Sequence, residues 1–307
     1  MNRDTVHKCI RTLTKHYPSR KIAQEFNSLL GWLCFDCEDP HWMVADAFDV
    51  APTIVLDMSN RLLRKMYYFP KAWCRWWMEQ DLSRFMRLQI GPGSTFVDVG
   101  SNVGFYSLFA SGLVGEQGRV FAFEPEPVFC ESLRRSAQEN GFSQLHCSNA
   151  ALSDRTTTAS FYRAWDSPAS SLVPEVPGRE KRYRERIQVP VTTLDDYLTE
   201  HPAAPPEIGL IKVDVEGEEV RAVSGMVETL ASRGFPPMWV EVRGPEGSTR
   251  APDTFPAVHA LLQPLGYRPY RWSRGKSSPV SVGDVRDRED ILFRSEASGT
   301  RTGTPGR

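Results

Sequence analysis

Four stretches of the sequence bring together residue types that can act on a ligand. The first is Phe96-Val97-Asp98-Val99-Gly100-Ser101-Asn102-Val103-Gly104, an apolar run that ends in a glycine turn and opens a helical pattern. Amides at a helix start favour a negative group, and glycine lets the backbone approach a ligand closely. A dinucleotide site needs Gly-x-Gly-x-x-Gly, and Asn102 occupies the slot of its middle glycine, which disfavours a pyrophosphate. Asp98 would repel a diphosphate but pair well with an ammonium group. The second stretch places Glu124 just after the next strand, 24 residues past Gly100, where a carboxylate can accept from both hydroxyls of a ribose. Each acid taken singly is also what an ordinary turn or helix cap contains. Their order and spacing describe S-adenosylmethionine rather than NAD.

The third and fourth stretches are Lys212-Val-Asp-Val-Glu216 and Glu241-Val-Arg243. Strand alternation puts Lys212, Asp214 and Glu216 on one side, with Ile211, Val213 and Val215 on the other, and the same rule places Glu241 and Arg243 together. A hydroxyl that is to attack an electrophile needs its oxygen held in line with the group it attacks and a base for its proton. Asp214, Glu216 and Glu241 are the candidate bases, with Lys212 beside them either in the site or simply neutralising Asp214. Glu216, Glu218 and Glu219 also open a helix, where acids are stabilised without any catalytic role. Clustered oxygens suit magnesium, but the six histidines are scattered and no metal is expected.

These residues sit in a longer ordered set: Asp98-Val-Gly-Ser-Asn-Val-Gly104, Ala122-Phe-Glu-Pro125, Asn149-Ala-Ala-Leu-Ser-Asp154, Thr193-Leu-Asp-Asp196 and Lys212-Val-Asp-Val-Glu-Gly217. The set resembles the FkbM family of S-adenosylmethionine-dependent methyltransferases over roughly residues 91 to 245. The resemblance implies a seven-stranded class I methyltransferase fold and O-methylation of a macrolide, another natural product, or a sugar. It further implies that Asp98, Gly100, Asn102 and Gly104 line the methionine end, that Glu124 holds the ribose, and that Asn149 and Ala150 border the adenine. An NAD-dependent oxidoreductase and a non-catalytic methyltransferase-like protein are the alternatives.

An α/β frame is needed to hold these residues. Short apolar runs at Thr95 to Val99, Arg119 to Phe123, Gln144 to Ser148, Gly209 to Asp214 and Met238 to Val242 alternate with helical patterns at about 102–113, 126–140, 216–231 and 254–264. That alternation predicts a Rossmann-like, doubly wound, mostly parallel sheet. An insertion of about 60 residues between the third and fourth runs carries β-type segments at Ala159 to Arg163 and Ile187 to Val191 and a short helix near Thr193 to Leu198. Tyr267 to Trp272 and Asp290 to Arg294 suit a closing antiparallel pair at one edge. Gly91-Pro92-Gly93 marks a boundary, giving an aromatic-rich extension over 1–90 as a candidate substrate cap, a methyltransferase domain over 91–295 and a loose tail over 296–307.

Length and composition agree with this frame. The 307 residues allow two domains or one large one, and 40% hydrophobic against 24% charged residues is ordinary globular usage. A net charge of −1 provides no general field for nucleic acid or anionic lipid, and the fourth run lacks a base-flipping motif, so neither is expected as a partner, and the resemblance implies a hydroxyl-bearing small molecule or glycan instead. Cys9, Cys34, Cys37, Cys74, Cys130 and Cys147 are too irregular for a disulfide framework, and no export segment or 18-residue apolar run is seen, which fits the cytoplasm. The Cys34/Cys37 spacing is read as coincidence, and Trp73, Trp76 and Trp77 as packing residues or acceptor contacts. The basic run over 179–186, together with Ser170 and Ser171, is read as solvated loop or part of a lid.

Overall fold

The computed structural model describes residues 42–46, 53–57, 81–164, 172, 183–245 and 253–296. The Cys34/Cys37 pair, Trp73, Trp76, Trp77, Ser170, Ser171, residues 179–182 of the basic run and the tail beyond 296 lie outside these.

An N-terminal hairpin, β1 (Trp42–Asp46) and β2 (Thr53–Asp57), and helix α1 (Asp81–Gln89) precede the main sheet. That sheet is built from β3 (Thr95–Val99), β4 (Arg119–Phe123), β5 (Leu145–Ser148), β9 (Leu210–Val213), β10 (Met238–Arg243), β11 (Tyr267–Ser273), β12 (Lys276–Pro279) and β13 (Arg288–Ser295). Its order is β12-β11-β13-β10-β9-β3-β4-β5. From β10 to β5 every pairing is parallel, and β13 runs antiparallel between β10 and β11. Seven strands thus form the expected class I methyltransferase sheet, and the short β12 is an eighth on its edge.

Helices cover both faces, as a parallel sheet requires. Phe96, Val120, Ala122, Leu210, Trp239 and Leu292 face α2 (Phe105–Val114), α3 (Pro127–Glu139), α1 and β2. Val97, Val99, Phe121, Ile211, Val213, Val240 and Phe293 face the other way, against α4 (Leu194–Glu200), α5 (Glu219–Ser224), α6 (Val227–Ser232) and α7 (Phe255–Leu262). Alternate residues of each strand therefore feed different cores, as the pleat dictates. Among the described residues, no helix is long and apolar enough to cross a membrane.

The expected helix over 216–231 is in fact two helices, α5 and α6, broken at Gly225. A Cβ on Gly225 would collide with the Ser153 carbonyl oxygen, and the Gly225 carbonyl accepts from Asp195 N, so the chain passes too close to its neighbours for a continuous helix with side chains. The insertion forms its own small sheet, β6-β8-β7, from β6 (Ala151–Leu152), β7 (Thr157–Ala164) and β8 (Tyr183–Thr192). β2 lies along α3: Val55 N donates to Ser136 Oγ at 2.8 Å, Ser132 Oγ donates to the Val55 carbonyl, and Thr53 N donates to Asn140 Oδ1 at 2.8 Å. Ile54 and Leu56 enter the same core as Phe96 and Leu133.

Candidate functional site

The carboxyl ends of β3, β4, β5, β9 and β10 carry all the candidate groups, which is where open α/β sheets bind ligands. Gly100, Asn102 and Gly104 all have left-handed backbone, with φ of 78°, 53° and 85°. Their conformation serves the chain's own packing. A Cβ on Gly100 would strike the Asp214 carbonyl, and one on Gly104 would strike the Leu133 side chain. The turn is also less open to anions than its sequence suggests. Gly100 N and Ser101 N donate to the Phe123 carbonyl at 3.0 Å, Asn102 N to Glu124 Oε2 at 2.7 Å, Val103 N to Asn102 Oδ1 at 2.8 Å and Gly104 N to the Ser101 carbonyl at 2.9 Å. With five successive amides satisfied internally, the turn is no cradle for a pyrophosphate.

Asp98 is fully buried. Ser107 Oγ donates to its Oδ2 at 2.6 Å, and Lys212 Nζ lies 3.3 Å from Oδ1. The cation beside Asp98 is therefore a residue of the chain itself. Lys212 also donates to the Gly100 carbonyl at 3.1 Å and lies 3.6 Å from Asp214 Oδ2. Burial works against its charge, but the carboxylates of Asp98 and Asp214 outweigh it and raise Lys212 to about 12.

Glu124 is buried, with Oε1 accepting from Glu126 N at 2.8 Å and Oε2 from Asn102 N at 2.7 Å. Burial pushes its carboxyl up to about 8 against the lowering effect of those two amides. Each oxygen accepts one amide and keeps a lone pair, so the carboxylate can still take a pair of hydroxyl donors. Asn149 Nδ2 donates to the carbonyls of Glu124 and Pro125 at 2.8 and 3.1 Å, fixing the strand exit, and Ala150 beside it is buried. Ser101 Oγ is buried in the turn without a hydrogen-bond partner among the described residues. These features together fit a nucleoside-bearing ligand over β3 and β4.

On the other side of Lys212, Asp214, Glu216 and Glu241 converge, one oxygen of each lying within 4.8 Å of the others. Arg288 stands among them: Nε is 2.6 Å from Glu241, and Nη2 is 3.0 Å from Glu216 and 3.8 Å from Asp214. Arg243 Nη2 reaches Glu216 at 2.7 Å. Burial, and then the charge of Asp214, raise the Glu241 carboxyl, while Arg288 opposes the rise. Glu216 adopts φ 55°, and its carboxylate lies with those of Asp214 and Glu241. By contrast, Glu219 Oε1 accepts from Gly217 N at 2.8 Å and Glu218 pairs with Arg221, the roles of helix-start acids.

Two arginines in these networks carry no sequence signal of their own. Arg288 precedes the segment that reads as a strand, and only the register of β13, which sets Arg288 opposite Arg243 and Asp290 opposite Glu241, brings it to the acids. Arg163 ends a β-type segment of the insertion, and its contact with Glu126 depends on how that insertion folds back.

The family profile of the methyltransferase FkbM domain matches residues 98–269. The chain is 30% identical over 202 residues to methyltransferase sdnD of Sordaria araneosa, covering 57% of this chain and 74% of that one. It is 29% identical over 167 residues to 31-O-demethyl-FK506 methyltransferase FkbM of Streptomyces tacrolimicus, covering 45% of this chain and 62% of that one. Likewise it is 29% identical over 157 residues to hexuronic acid methyltransferase AglP of Haloferax volcanii, covering 51% of this chain and 60% of that one. The chain thus spans about three fifths of the length of the last two relatives. With its profile running from Asp98 on β3 to Pro269 on β11, the chain belongs to the FkbM methyltransferase family.

Proposed function

We propose that the protein is an S-adenosylmethionine-dependent O-methyltransferase acting on a hydroxyl of a small-molecule natural product or a glycan. The observation that carries this reading is the join made by Lys212: one buried ammonium binds the glycine-turn carbonyl of Gly100 and Asp98 on one side and the acidic group at Asp214 on the other. A nucleoside site and a proton-accepting site thereby share one rigid wall. S-adenosylmethionine supplies an electrophilic methyl group when bound. Glu124 accepts the ribose hydroxyls, Asn149 and Ala150 border the adenine, and Asp98, Gly100, Asn102 and Gly104 shape the methionine end, Asp98 acting there through Lys212.

Among the three acids, Glu216 is held by two guanidinium groups and Asp214 lies beside Lys212. Glu241 is also paired, with Arg288 at 2.6 Å, and burial and Asp214 raise its proton affinity; it is the general base for an acceptor hydroxyl in the ionised form that Arg288 favours. The names of two relatives, one a 31-O-demethyl-FK506 and one a hexuronic acid methyltransferase, support a macrolide-like or sugar-like acceptor.

Calorimetry with S-adenosylmethionine, S-adenosylhomocysteine and NAD tests the cofactor, and transfer of labelled methyl to panels of hydroxylated macrolides and uronic-acid glycans tests the acceptor. Binding of both sulfur nucleosides and alkali-stable label on an alcohol is expected. Binding of NAD in their place overturns the reading in favour of an oxidoreductase, and binding of none of the three favours a non-catalytic protein.

A further inference from the structure

We propose that Arg163, on the insertion hairpin, is a positioning residue for the cofactor ribose, acting through Glu126 on Glu124. This rests on the reading above that Glu124 receives the ribose hydroxyls. Arg163 Nε and Nη2 donate to the two carboxylate oxygens of Glu126 at 2.8 and 2.7 Å, a bidentate fork. Both side chains are largely out of solvent, 13% and 5% exposed, so the pair is screened little by water or salt. The third nitrogen, Nη1, donates to Glu185 of β8 at 2.6 Å, which holds the guanidinium against the insertion sheet.

Glu126 in turn sets Glu124 by its backbone. Its N–H donates to Glu124 Oε1 at 2.8 Å, across a single intervening proline whose ring restricts the link. Glu126 is also the N-cap of α3, its side chain accepting from Val128 N, so it has one backbone position compatible with both the helix and the fork. Asn102 N holds the other Glu124 oxygen from the glycine turn. The carboxylate is thus clamped from two directions: by the motif visible in the sequence, and by an arginine from the segment between β6 and β8. On this reading the insertion completes the cofactor pocket, in addition to whatever it offers an acceptor.

The test is calorimetry of S-adenosylhomocysteine and its 2′-deoxy counterpart on the full chain, wild type against Arg163→Met and Arg163→Lys. Wild type is expected to favour the ribonucleoside by about tenfold, the size of one charge-assisted hydrogen bond. In Arg163→Met the affinity for the ribonucleoside falls by about the same factor, that for the deoxynucleoside holds, and the ratio approaches one. Arg163→Lys, which keeps the charge but loses the fork, falls between them and serves in place of Arg163→Met if that variant does not fold. An unchanged ratio in either variant, or an equal loss for both nucleosides, overturns the relay and leaves Arg163 a structural tie. If wild type binds S-adenosylhomocysteine without discriminating the deoxy form, the ribose role of Glu124 falls and the relay with it. If wild type binds neither nucleoside, the cofactor reading itself has failed.

Discussion

Asp98 and Lys212 are register partners on the adjacent parallel strands β3 and β9, and their charged groups meet 3.3 Å apart inside the protein. Two residues that are directly opposite on neighbouring strands project to the same face, so the pairing follows from the register alone. Its effect is to place one ammonium where the glycine turn, the buried aspartate and the acidic cluster meet. Burying such a pair contributes little net stability, but removing one partner strands the other.

Lys212→Met should therefore destabilise the protein by about 3–5 kcal/mol, because Asp98 is left buried with Ser107 as its remaining donor. Adding Asp98→Asn should recover most of that loss by removing the stranded charge. Urea denaturation of the two variants measures both. The double variant is still expected to bind S-adenosylhomocysteine weakly, since nothing then ties the Gly100 carbonyl to β9. A single variant as stable as wild type shows that Asp98 does not need its cation.

Glu124 gives opposite pH responses in stability and in binding. Its carboxyl is raised to about 8 in the folded chain, so its contribution to stability is complete below the ordinary glutamate range and is lost as pH rises through about 8. Hydroxyl donors from a ribose favour the ionised form, so binding should release a proton and strengthen as pH rises toward about 8. Glu124→Gln should hold its melting temperature better than wild type between about pH 6 and pH 9 while binding S-adenosylhomocysteine more weakly and with a flatter pH dependence. Parallel pH profiles for the two proteins would show that Glu124 does not titrate with binding.

The parts of this site that were legible in the sequence are those set by local chain geometry. The glycine turn, the acid after β4 and the Lys212, Asp214, Glu216 row follow from strand alternation and turn chemistry within a few residues, and the strand boundaries at Thr95–Val99 and Arg119–Phe123 coincide with the apolar runs. Arg163 and Arg288 were not legible, because a lone arginine is an ordinary surface residue until a long-range pairing places it. Arg288 needs the register of an antiparallel strand entering between β10 and β11, and Arg163 needs the return of an insertion. The break at Gly225 likewise depends on Ser153, far away in the chain.

Arg288 bears on metal dependence. Its guanidinium lies against all three carboxylates that would otherwise gather a divalent ion. Titration of wild type with magnesium chloride is expected to give no saturable heat. In Arg288→Ala the three acids face one another without that charge, and weak saturable magnesium binding should appear, with some loss of stability from the added repulsion. Saturable binding by wild type would instead make Asp214, Glu216 and Glu241 a metal site.

The N-terminal region supplies the last test, because part of what precedes Gly91 belongs to the domain core. Ile54, Val55 and Leu56 are buried, and β2 satisfies the buried hydroxyls of Ser132 and Ser136 on α3. That helix begins immediately after the Glu124 to Glu126 turn, so whatever loosens α3 also loosens the carboxylate. Removing residues 1–40 keeps the hairpin and is the reference for a longer deletion. Removing residues 1–60 takes β2 away, exposing apolar surface worth about 1.5–3 kcal/mol for each large side chain and depriving the Ser132 hydroxyl of its acceptor. It should lower the melting temperature sharply and weaken nucleoside binding as well. If the longer deletion keeps full cofactor affinity and loses only methyl transfer to an acceptor, β2 is part of an acceptor cap and not of the cofactor domain.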